Sequence, residues 1–140
     1  MQFGGSITID EGMDVDADAA DNSYTTGYFT TTANFPTLSV TSSGIDDIFI
    51  YKTNGLGIGQ WLKKAGGTGS DKAFSVDADN LGNTVITGYF NNTAQFDAQS
   101  VTSAGQQDIF VAKYNTAGNL VWVAKAGGTG SAGRASANST

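Results

Sequence analysis

The densest group of chemically competent side chains is formed by four aspartates near the N-terminus, at positions 14, 16, 18 and 21. Their spacing is similar to that of the oxygen-rich loops that bind calcium. An EF-hand loop starting at Asp14 would need glycine at its sixth position and glutamate at its twelfth, where this sequence has alanine and threonine. Asp14 and Asp16 lie on a predicted innermost strand, where they could line a channel together with Asp77. These three are candidate Ca²⁺ ligands, the alternative being solvated or locally hydrogen-bonded carboxylates. No other cofactor is predicted.

The sequence contains no histidine and no cysteine, so the commonest general base, the thiol nucleophile and the usual zinc ligands are all missing. An enzyme built from this chain would need Asp/Glu acid–base pairs or a metal ion. No catalytic residue is predicted, and the chain is not expected to be an enzyme. A hydrolase or lyase that uses channel carboxylates is retained as the second alternative function.

Four aromatic side chains could form a ligand-binding surface, namely Trp61, Trp122, Tyr28 and Tyr89. Exposed aromatic rings can stack on the apolar faces of sugars, while Asp and Asn side chains bind the hydroxyl groups. This possibility makes a carbohydrate-binding, lectin-like protein the first alternative function. The competing interpretation is that the same rings fill gaps between packed sheets.

Two aspartate positions recur along the chain, Asp18 with Asp79 and Asp47 with Asp108. A catalytic group is normally unique, whereas a repeated carboxylate is typical of a structural role such as binding the N–H groups of a turn. The recurrence therefore favours structural aspartates.

An internal repeat accounts for this recurrence. The Thr-Gly-Tyr-Phe motif at residues 26–29 returns 61 residues later at 87–90, and the same offset relates Asp-Ile-Phe at 47–49 to 108–110. Trp61 falls on Trp122, and the glycine-rich segment 64–70 falls on 125–131. About half of all positions from residue 10 onward are identical at this offset. The chain therefore consists of two tandem repeats and a polar tail.

Each repeat reads as four short strands, separated by turn-forming residues and rich in β-branched and aromatic side chains. The predicted strands are 12–17, 23–29, 47–52 and 58–65 in the first repeat, and 73–78, 84–90, 108–114 and 120–126 in the second. The longer connection between the second and third strands of a repeat contains Phe35 and Val40, or Phe96 and Val101, which could form a small extra hairpin.

The third and fourth strands of the second repeat are apolar on both faces, as in Ile109-Phe110-Val111-Ala112 and Leu120-Val121-Trp122-Val123-Ala124. A sheet with one solvent-exposed face would alternate apolar and polar residues, so both faces of these strands must pack against other elements. No helical pattern is present to supply those elements, and sheets must therefore cover sheets. This predicts an all-β fold of two four-stranded antiparallel β-propeller blades. A β-sandwich is the runner-up.

At this level of detail the chain resembles the bacterial seven-bladed β-propeller repeat family (SBBP-type repeats). The matching stretch runs from Trp61 to Tyr114 and includes the Lys-x-x-Gly-Gly-like segment, Asp79 before Gly-Asn, Thr-Gly-Tyr-Phe and Asp-Ile-Phe-Val-Ala-Lys-Tyr. The first repeat departs from the pattern at Asp21, which replaces the turn glycine. The resemblance implies a repeat architecture common in exported and cell-surface proteins, which favours an extracellular location, and it implies no reaction.

Two blades cannot close a ring, and their outer faces would leave more apolar surface in water than soluble monomers usually tolerate. Further blades must come from a longer chain or from other copies of this chain. We predict a head-to-tail homo-oligomer, with a trimer of six blades favoured over a tetramer of eight. The predicted units are a first blade at 1–70, a second blade at 71–130 and a disordered polar tail at 131–140.

The net charge of −6 and the scattered basic residues argue against binding to nucleic acids or anionic membranes. The N-terminus lacks a signal-peptide pattern, and no apolar run is long enough to span a membrane. The sequence therefore predicts a non-catalytic β-propeller module with a structural or partner-binding role. Its expected partners are other copies of the chain and a glycan or protein ligand.

Overall fold

A computed structural model describes residues 9–129, and all regular structure in that range is β-strand. The twelve strands are β1 (Asp10–Ala17), β2 (Ser23–Phe29), β3 (Thr32–Phe35), β4 (Leu38–Thr41), β5 (Asp47–Thr53), β6 (Gly59–Gly67), β7 (Lys72–Ala78), β8 (Thr84–Phe90), β9 (Thr93–Phe96), β10 (Gln99–Thr102), β11 (Asp108–Tyr114) and β12 (Leu120–Ala126). Accordingly, the described residues offer no helix that could cross a membrane.

The strands form two four-stranded antiparallel blades. The first blade contains β1, β2, β5 and β6 in that order, and the second contains β7, β8, β11 and β12. The predicted all-β fold of two propeller-type blades is confirmed, and the ring is not closed within the chain. The predicted boundary between residues 70 and 71 falls in the connection between β6 and β7. The predicted tail at 131–140 lies outside the described residues.

Polar side chains close the turns between neighbouring strands of each blade. Asp18 accepts hydrogen bonds from the N–H groups of Ala20 and Asn22, at 2.9 and 3.0 Å. Asp79 does the same for Leu81 and Asn83, both at 2.9 Å. These contacts confirm the predicted structural role of the Asp18/Asp79 pair, which fixes both turns between the first and second strands.

The glycine of the Thr-Gly-Tyr-Phe motif permits a close approach between the first two strands of each blade. A Cβ atom on Gly27 would lie 1.8 Å from the carbonyl oxygen of Glu11, and one on Gly88 would lie 1.9 Å from that of Lys72. Both glycines pair beside a β-bulge on the neighbouring strand. The motif therefore recurs because the bulged backbone leaves no space for a side chain.

A small extra hairpin forms in the connection between the second and third strands of each blade, as predicted, and it packs on one face of that blade. The hairpin β3–β4 packs Phe35 on Phe49, with ring centroids 5.4 Å apart, and β9–β10 packs Phe96 on Phe110 at 5.0 Å. The hairpins differ in their pairing. β9 also pairs with β6 of the first blade, which makes the first sheet six-stranded, whereas β3 pairs with β4 alone among the described strands.

The main hydrophobic core lies between the blades. The first blade contributes Tyr24, Ile48, Ile50 and Ala65, and the second contributes a larger set that consists of Ala73, Val76, Ile86, Phe90, Ala94, Phe96, Phe110, Ala112 and Tyr114. A second cluster lies on the opposite face of the first blade, under the β3–β4 hairpin. Apolar residues on both faces of a strand thus serve two separate cores, as the sequence predicted for sheets packed on sheets.

Candidate functional site: the seam between blades and the two outward faces

We use the term seam for the interface between the first and second blades. One part of it is a short antiparallel ladder between β6 and β9, in which Ala65 lies opposite Phe96 and Gly67 lies opposite Ala94. A Cβ atom on Gly67 would lie 2.0 Å from the carbonyl oxygen of Thr93. Gly67 is therefore required by the close contact between the blades, and its backbone is not in the left-handed region.

The predicted calcium ligands lie at the inner edge of the seam, on the edge strands β1 and β7. The Asp14 carboxylate accepts hydrogen bonds from the Val76 N–H at 2.9 Å and the Ser75 hydroxyl at 3.1 Å. Asp16 accepts one from the Ala78 N–H at 2.7 Å. This bond, followed by that from the Ala17 N–H, lowers the pKa of Asp16. Both carboxylates therefore join the innermost strands of the two blades.

Asp77 lies on the same edge and is exposed. Within residues 9–129 no cluster of three or more Asp, Glu, His or Cys side chains has the geometry of a metal site. Calcium binding at Asp14, Asp16 and Asp77 stays a prediction. The backbone contacts of the first two carboxylates provide a structural reason for their presence.

At the outer part of the seam, Trp61 and Lys52 of the first blade hold the turn between β11 and β12. The Trp61 indole N–H donates to the Thr116 carbonyl oxygen at 3.0 Å, and the Lys52 ammonium donates to the same oxygen at 3.1 Å. Gly118, with φ of +86°, lies so close to the indole that a Cβ atom would be 2.8 Å from it. The indole ring also packs 6.1 Å from the Tyr24 ring.

Tyr28 and Tyr89 both pack near Phe74, at ring-centroid distances of 6.4 and 5.4 Å. Tyr28 is buried, its hydroxyl donates to Glu11 at 2.8 Å, and the Lys72 ammonium lies 4.1 Å above its ring. Burial raises the pKa of Tyr28 to about 12, so its hydroxyl stays protonated at neutral pH. Tyr28 therefore serves as a contact between the blades.

The structure does not bring the four predicted aromatic residues together. Trp61 and Tyr28 take part in the seam, Tyr89 is half-buried against Phe74, and Trp122 is 40% exposed on the far side of the second blade. Sugar stacking on these rings stays a prediction. Of the four, Trp122 has the greatest access to solvent.

A buried carboxylate that sequence reasoning missed, Asp71, connects the two blades. It accepts hydrogen bonds from the Gly67 N–H of the first blade at 2.9 Å and from the Asn91 N–H of the second at 3.1 Å. Burial raises its pKa to about 6, against the lowering effect of these bonds. The nearby Lys72–Asp46 pair, at 3.7 Å, also crosses the seam. The sequence did contain a signal for Asp71, because an aspartate also occurs 61 residues earlier, at Asp10.

The outward face of the second blade carries the repeat equivalents of residues that the first blade buries in the seam. Ile48 is fully buried in the seam, whereas its repeat equivalent Ile109 is 38% exposed. Ala65 is buried and its equivalent Ala126 is exposed. The residue types are unchanged while no other described residue covers them, so this trailing face corresponds to the half of the seam that the first blade contributes. We define the trailing face by Ile109, Val111, Trp122 and Ala126.

The outward face of the first blade, the leading face, carries the residues equivalent to those that the second blade contributes to the seam. Val76 of the second blade is 5% exposed in the seam, while its equivalent Val15 is 60% exposed. Val15 lines an open concavity of about 310 Å³ together with Gly12, Met13, Asp14 and Thr25. We define the leading face by Gly12, Val15 and Thr25.

Comparison with known proteins supports the repeat type. No family model matches the chain. It is 26% identical over 151 aligned residues to an uncharacterized WD repeat-containing protein of Acanthamoeba polyphaga mimivirus, an alignment that covers 86% of this chain and 11% of that protein. The chain thus spans about a tenth of that relative. This distant likeness supports a β-propeller-type repeat. Trp61 and Trp122 are followed by leucine and valine, so neither forms the Trp-Asp dipeptide of WD repeats.

Proposed function

We propose that this chain is a non-catalytic β-propeller module that joins head to tail with other copies of itself into a closed ring. The single observation that carries the proposal is the contrast between equivalent residues. Ile109 and Val15 are exposed on the outward faces of the two blades, and their equivalents Ile48 and Val76 are buried where one blade meets the next. Burial of such side chains contributes roughly 1.5–3 kcal/mol each, so an open pair of faces favours association.

The two faces are complementary because the chain already contains one instance of their contact. A head-to-tail contact that repeats the seam is heterologous, and it closes if its rotation divides a full circle. Each copy contributes two blades, so the blade number is even. We favour three copies and six blades, followed by four copies and eight. In this proposal the ring is the functional unit, and its rim and channel present the surfaces for a protein partner.

The test is the mass of the 140-residue chain in solution, measured by light scattering over a range of concentrations. We expect three or four times the mass of one chain, with dissociation only on dilution. A mass equal to one chain at all concentrations, in a sample that unfolds in one sharp transition, would overturn the proposal.

Carbohydrate binding is the second candidate, and the exposed indole of Trp122 is the observation that favours it. If Trp122 stacks on a sugar, Trp122→Ala abolishes glycan-array binding whereas Trp61→Ala, in the seam, leaves ligand specificity unchanged. In the proposed assembly Trp122 is not accessible to a sugar, because a second copy would cover it as the second blade covers Trp61. Failure of every glycan to bind the folded chain counts against this candidate. A hydrolase or lyase using the Asp16 and Asp77 carboxylates is tested by loss of turnover in Asp16→Asn and Asp77→Asn.

A further inference from the structure

The turn between β5 and β6, at residues 54–57, is the repeat equivalent of the turn that Trp61 and Lys52 hold in the seam. Its backbone has the same form, because Gly57 has φ of +77° where its equivalent Gly118 has +86°. Gly118 is buried under the Trp61 indole, whereas Gly57 is exposed and a Cβ atom added to it meets no described atom within 4 Å. We use the term exposed turn for residues 54–57.

The two side chains that would hold such a turn occur again on the second blade. Trp122 and Lys113 are the equivalents of Trp61 and Lys52. Trp122 is 40% exposed, and among the described residues neither its indole N–H nor the Lys113 ammonium donates a hydrogen bond. One copy of the chain therefore has the donors of this contact on its second blade and a matching exposed turn on its first.

A pair of positions beside the turn shows that the two outward faces also match in volume. In the seam Tyr24 faces Gly82, where a Cβ atom would lie 2.4 Å from the Tyr24 hydroxyl oxygen, so no side chain fits. The equivalents of these two residues are Val85 and Asp21. Valine lacks the phenol that fills this space in the seam, and aspartate has a side chain to fill it. The pair thus changes from large and small to small and large.

Asp21 also replaces a hydrogen-bond acceptor. Lys52 donates to both the carbonyl oxygen and the hydroxyl oxygen of Thr116, each at 3.1 Å. The equivalent of Thr116 is Gly55, which has the carbonyl group but no hydroxyl. The Oδ2 atom of Asp21 lies 3.0 Å from the position that a Cβ atom on Gly55 would take. The exposed turn therefore offers a carbonyl oxygen and, beside it, a carboxylate to an incoming ammonium group.

We propose that Trp122 and Lys113 of one copy of this chain bind the exposed turn of a second copy. This inference rests on the proposed assembly and specifies one contact by which the two faces meet. The Trp122 indole N–H donates to the Gly55 carbonyl oxygen, as Trp61 does to its turn within the chain. The Lys113 ammonium binds the same oxygen and the Asp21 carboxylate, which adds a charge-assisted hydrogen bond that the Lys52 contact lacks.

A second carboxylate, Asp79, comes near Asp21 in this contact. Its equivalent in the seam is Asp18, whose Oδ2 lies 2.9 Å from a Cβ atom added to Gly82. Within the chain, hydrogen bonds from its own turn and the charge of the Lys113 ammonium both favour the ionised form of Asp79. Lys113 therefore faces two carboxylates in the assembled state, and its removal would leave like charges side by side.

The first test is a double-mutant cycle on the ion pair, with Lys113→Met and Asp21→Asn. Asparagine keeps the size of aspartate and tolerates the left-handed backbone at position 21. We expect each single variant to weaken assembly and the pair to couple by about two- to fivefold in the dissociation constant, with a coupling that falls as salt rises. The measurement is light scattering of the full chain over a range of concentrations.

The matched control for the cycle is Lys52→Met, because its contact lies within one chain. It should lower the unfolding midpoint at every concentration and show no coupling with Asp21→Asn in the dissociation constant.

The second test exchanges the large and small pair. Val85→Tyr places a phenol where Asp21 of the next copy would lie, and we expect assembly to weaken about tenfold. Val85 is half-buried on the outward side, so at high dilution the variant should unfold at the same midpoint as the natural chain. Val85→Tyr with Asp21→Gly recreates the Tyr24–Gly82 pair of the seam and should recover most of the lost affinity. If Asp21→Gly gives no recovery, the two positions do not meet.

The outcomes separate this inference from the proposed assembly. If the natural chain assembles while the ion pair shows no coupling and Val85→Tyr leaves the dissociation constant unchanged, the contact at the exposed turn is wrong and the assembly stands. If the natural chain remains a monomer at all concentrations, both are overturned.

Discussion

Identical or similar residues have different environments in the two repeats, and these pairs make the chain its own control. Thr26 and Thr87 donate to equivalent carbonyl oxygens, those of Phe49 and Phe110, both at 2.8 Å. Thr26 is fully buried by the second blade, and Thr87 is half-buried. A difference in substitution effects between such equivalents therefore reports on the cover from a neighbouring blade.

Asp21 is the residue whose replacement by glycine should stabilise the chain. It has φ of 66°, in the left-handed region, where its equivalent Gly82 has φ of +85°. Side chains with a Cβ are disfavoured there, aspartate less than most, and glycine adds entropy to the unfolded state. We expect Asp21→Gly to raise the free energy of unfolding by about 0.5 kcal/mol, measured by chemical denaturation.

The reverse substitution is the control for Asp21→Gly. A Cβ atom on Gly82 would lie 2.4 Å from the Tyr24 hydroxyl oxygen. Gly82→Asp should therefore lower the free energy of unfolding by about 1–3 kcal/mol. If both substitutions lower the free energy of unfolding equally, the left-handed backbone conformation at position 21 does not determine the effect of replacing Asp21.

Asp71 should make the free energy of unfolding depend on pH through its buried position in the seam. Burial raises its pKa from 3.8 to about 6 in the folded chain, so the folded state binds a proton that the unfolded state has released between about pH 4 and pH 6. Stability from this residue is therefore greatest below pH 4 and is lost as the pH rises through 6. Relative to Asp71→Asn, the free energy of unfolding of the natural chain should fall by about 2–3 kcal/mol from pH 4 to pH 7. A difference that is constant or rises with pH would contradict this assignment.

At the scale of elements, substitution of the two equivalent tryptophans tests which of them lies in a seam. Trp61 has its hydrogen bond to the Thr116 carbonyl within the chain, so Trp61→Ala should lower stability by about 2 kcal/mol at any protein concentration. In the proposed assembly Trp122 gains the equivalent contact from a second copy, so the effect of Trp122→Ala should grow with concentration. The measurement is the thermal unfolding midpoint of both variants over a hundredfold concentration range. Concentration-independent effects for both would mean that Trp122 does not enter a seam.

Much of the element structure could be predicted from the sequence. The bounds of β2, β8, β11 and β12 are as predicted, because β-branched and aromatic runs end at turns with strong polar signals. β1, β5 and β7 extend one or two residues beyond the predicted ends, and β6 begins one residue later and ends two residues later than predicted. The extra length of β6 comes from pairing with β9, a contact between the repeats.

That pairing could not be read from the sequence. The repeat shows which residues are equivalent, but equivalence does not show whether a hairpin edge pairs within its own blade or with the preceding one. The same holds for Trp61, whose role depends on a turn 55 residues away. Local patterns determine strands and turns, while contacts between repeats depend on the geometry of the whole sheet.

At the scale of the whole molecule, the chain is a stack of two blades with one formed seam and two outward faces whose residues are equivalent to its two halves. Solenoid and repeat proteins gain stability from such nearest-neighbour contacts, and their ends usually carry polar caps. This chain has no such cap on its described outer faces, since Val15 and Ile109 are exposed there. The assembly proposed above converts both outward faces into one further seam per copy, with no face left over once the ring closes.

The most direct test of this account is an image of the particle formed by the natural chain, obtained by electron microscopy with class averages down the channel axis. The account predicts a closed ring of six blades with threefold symmetry, or of eight blades with fourfold symmetry. Particles of two blades, or open rows of blades that never close, would contradict it.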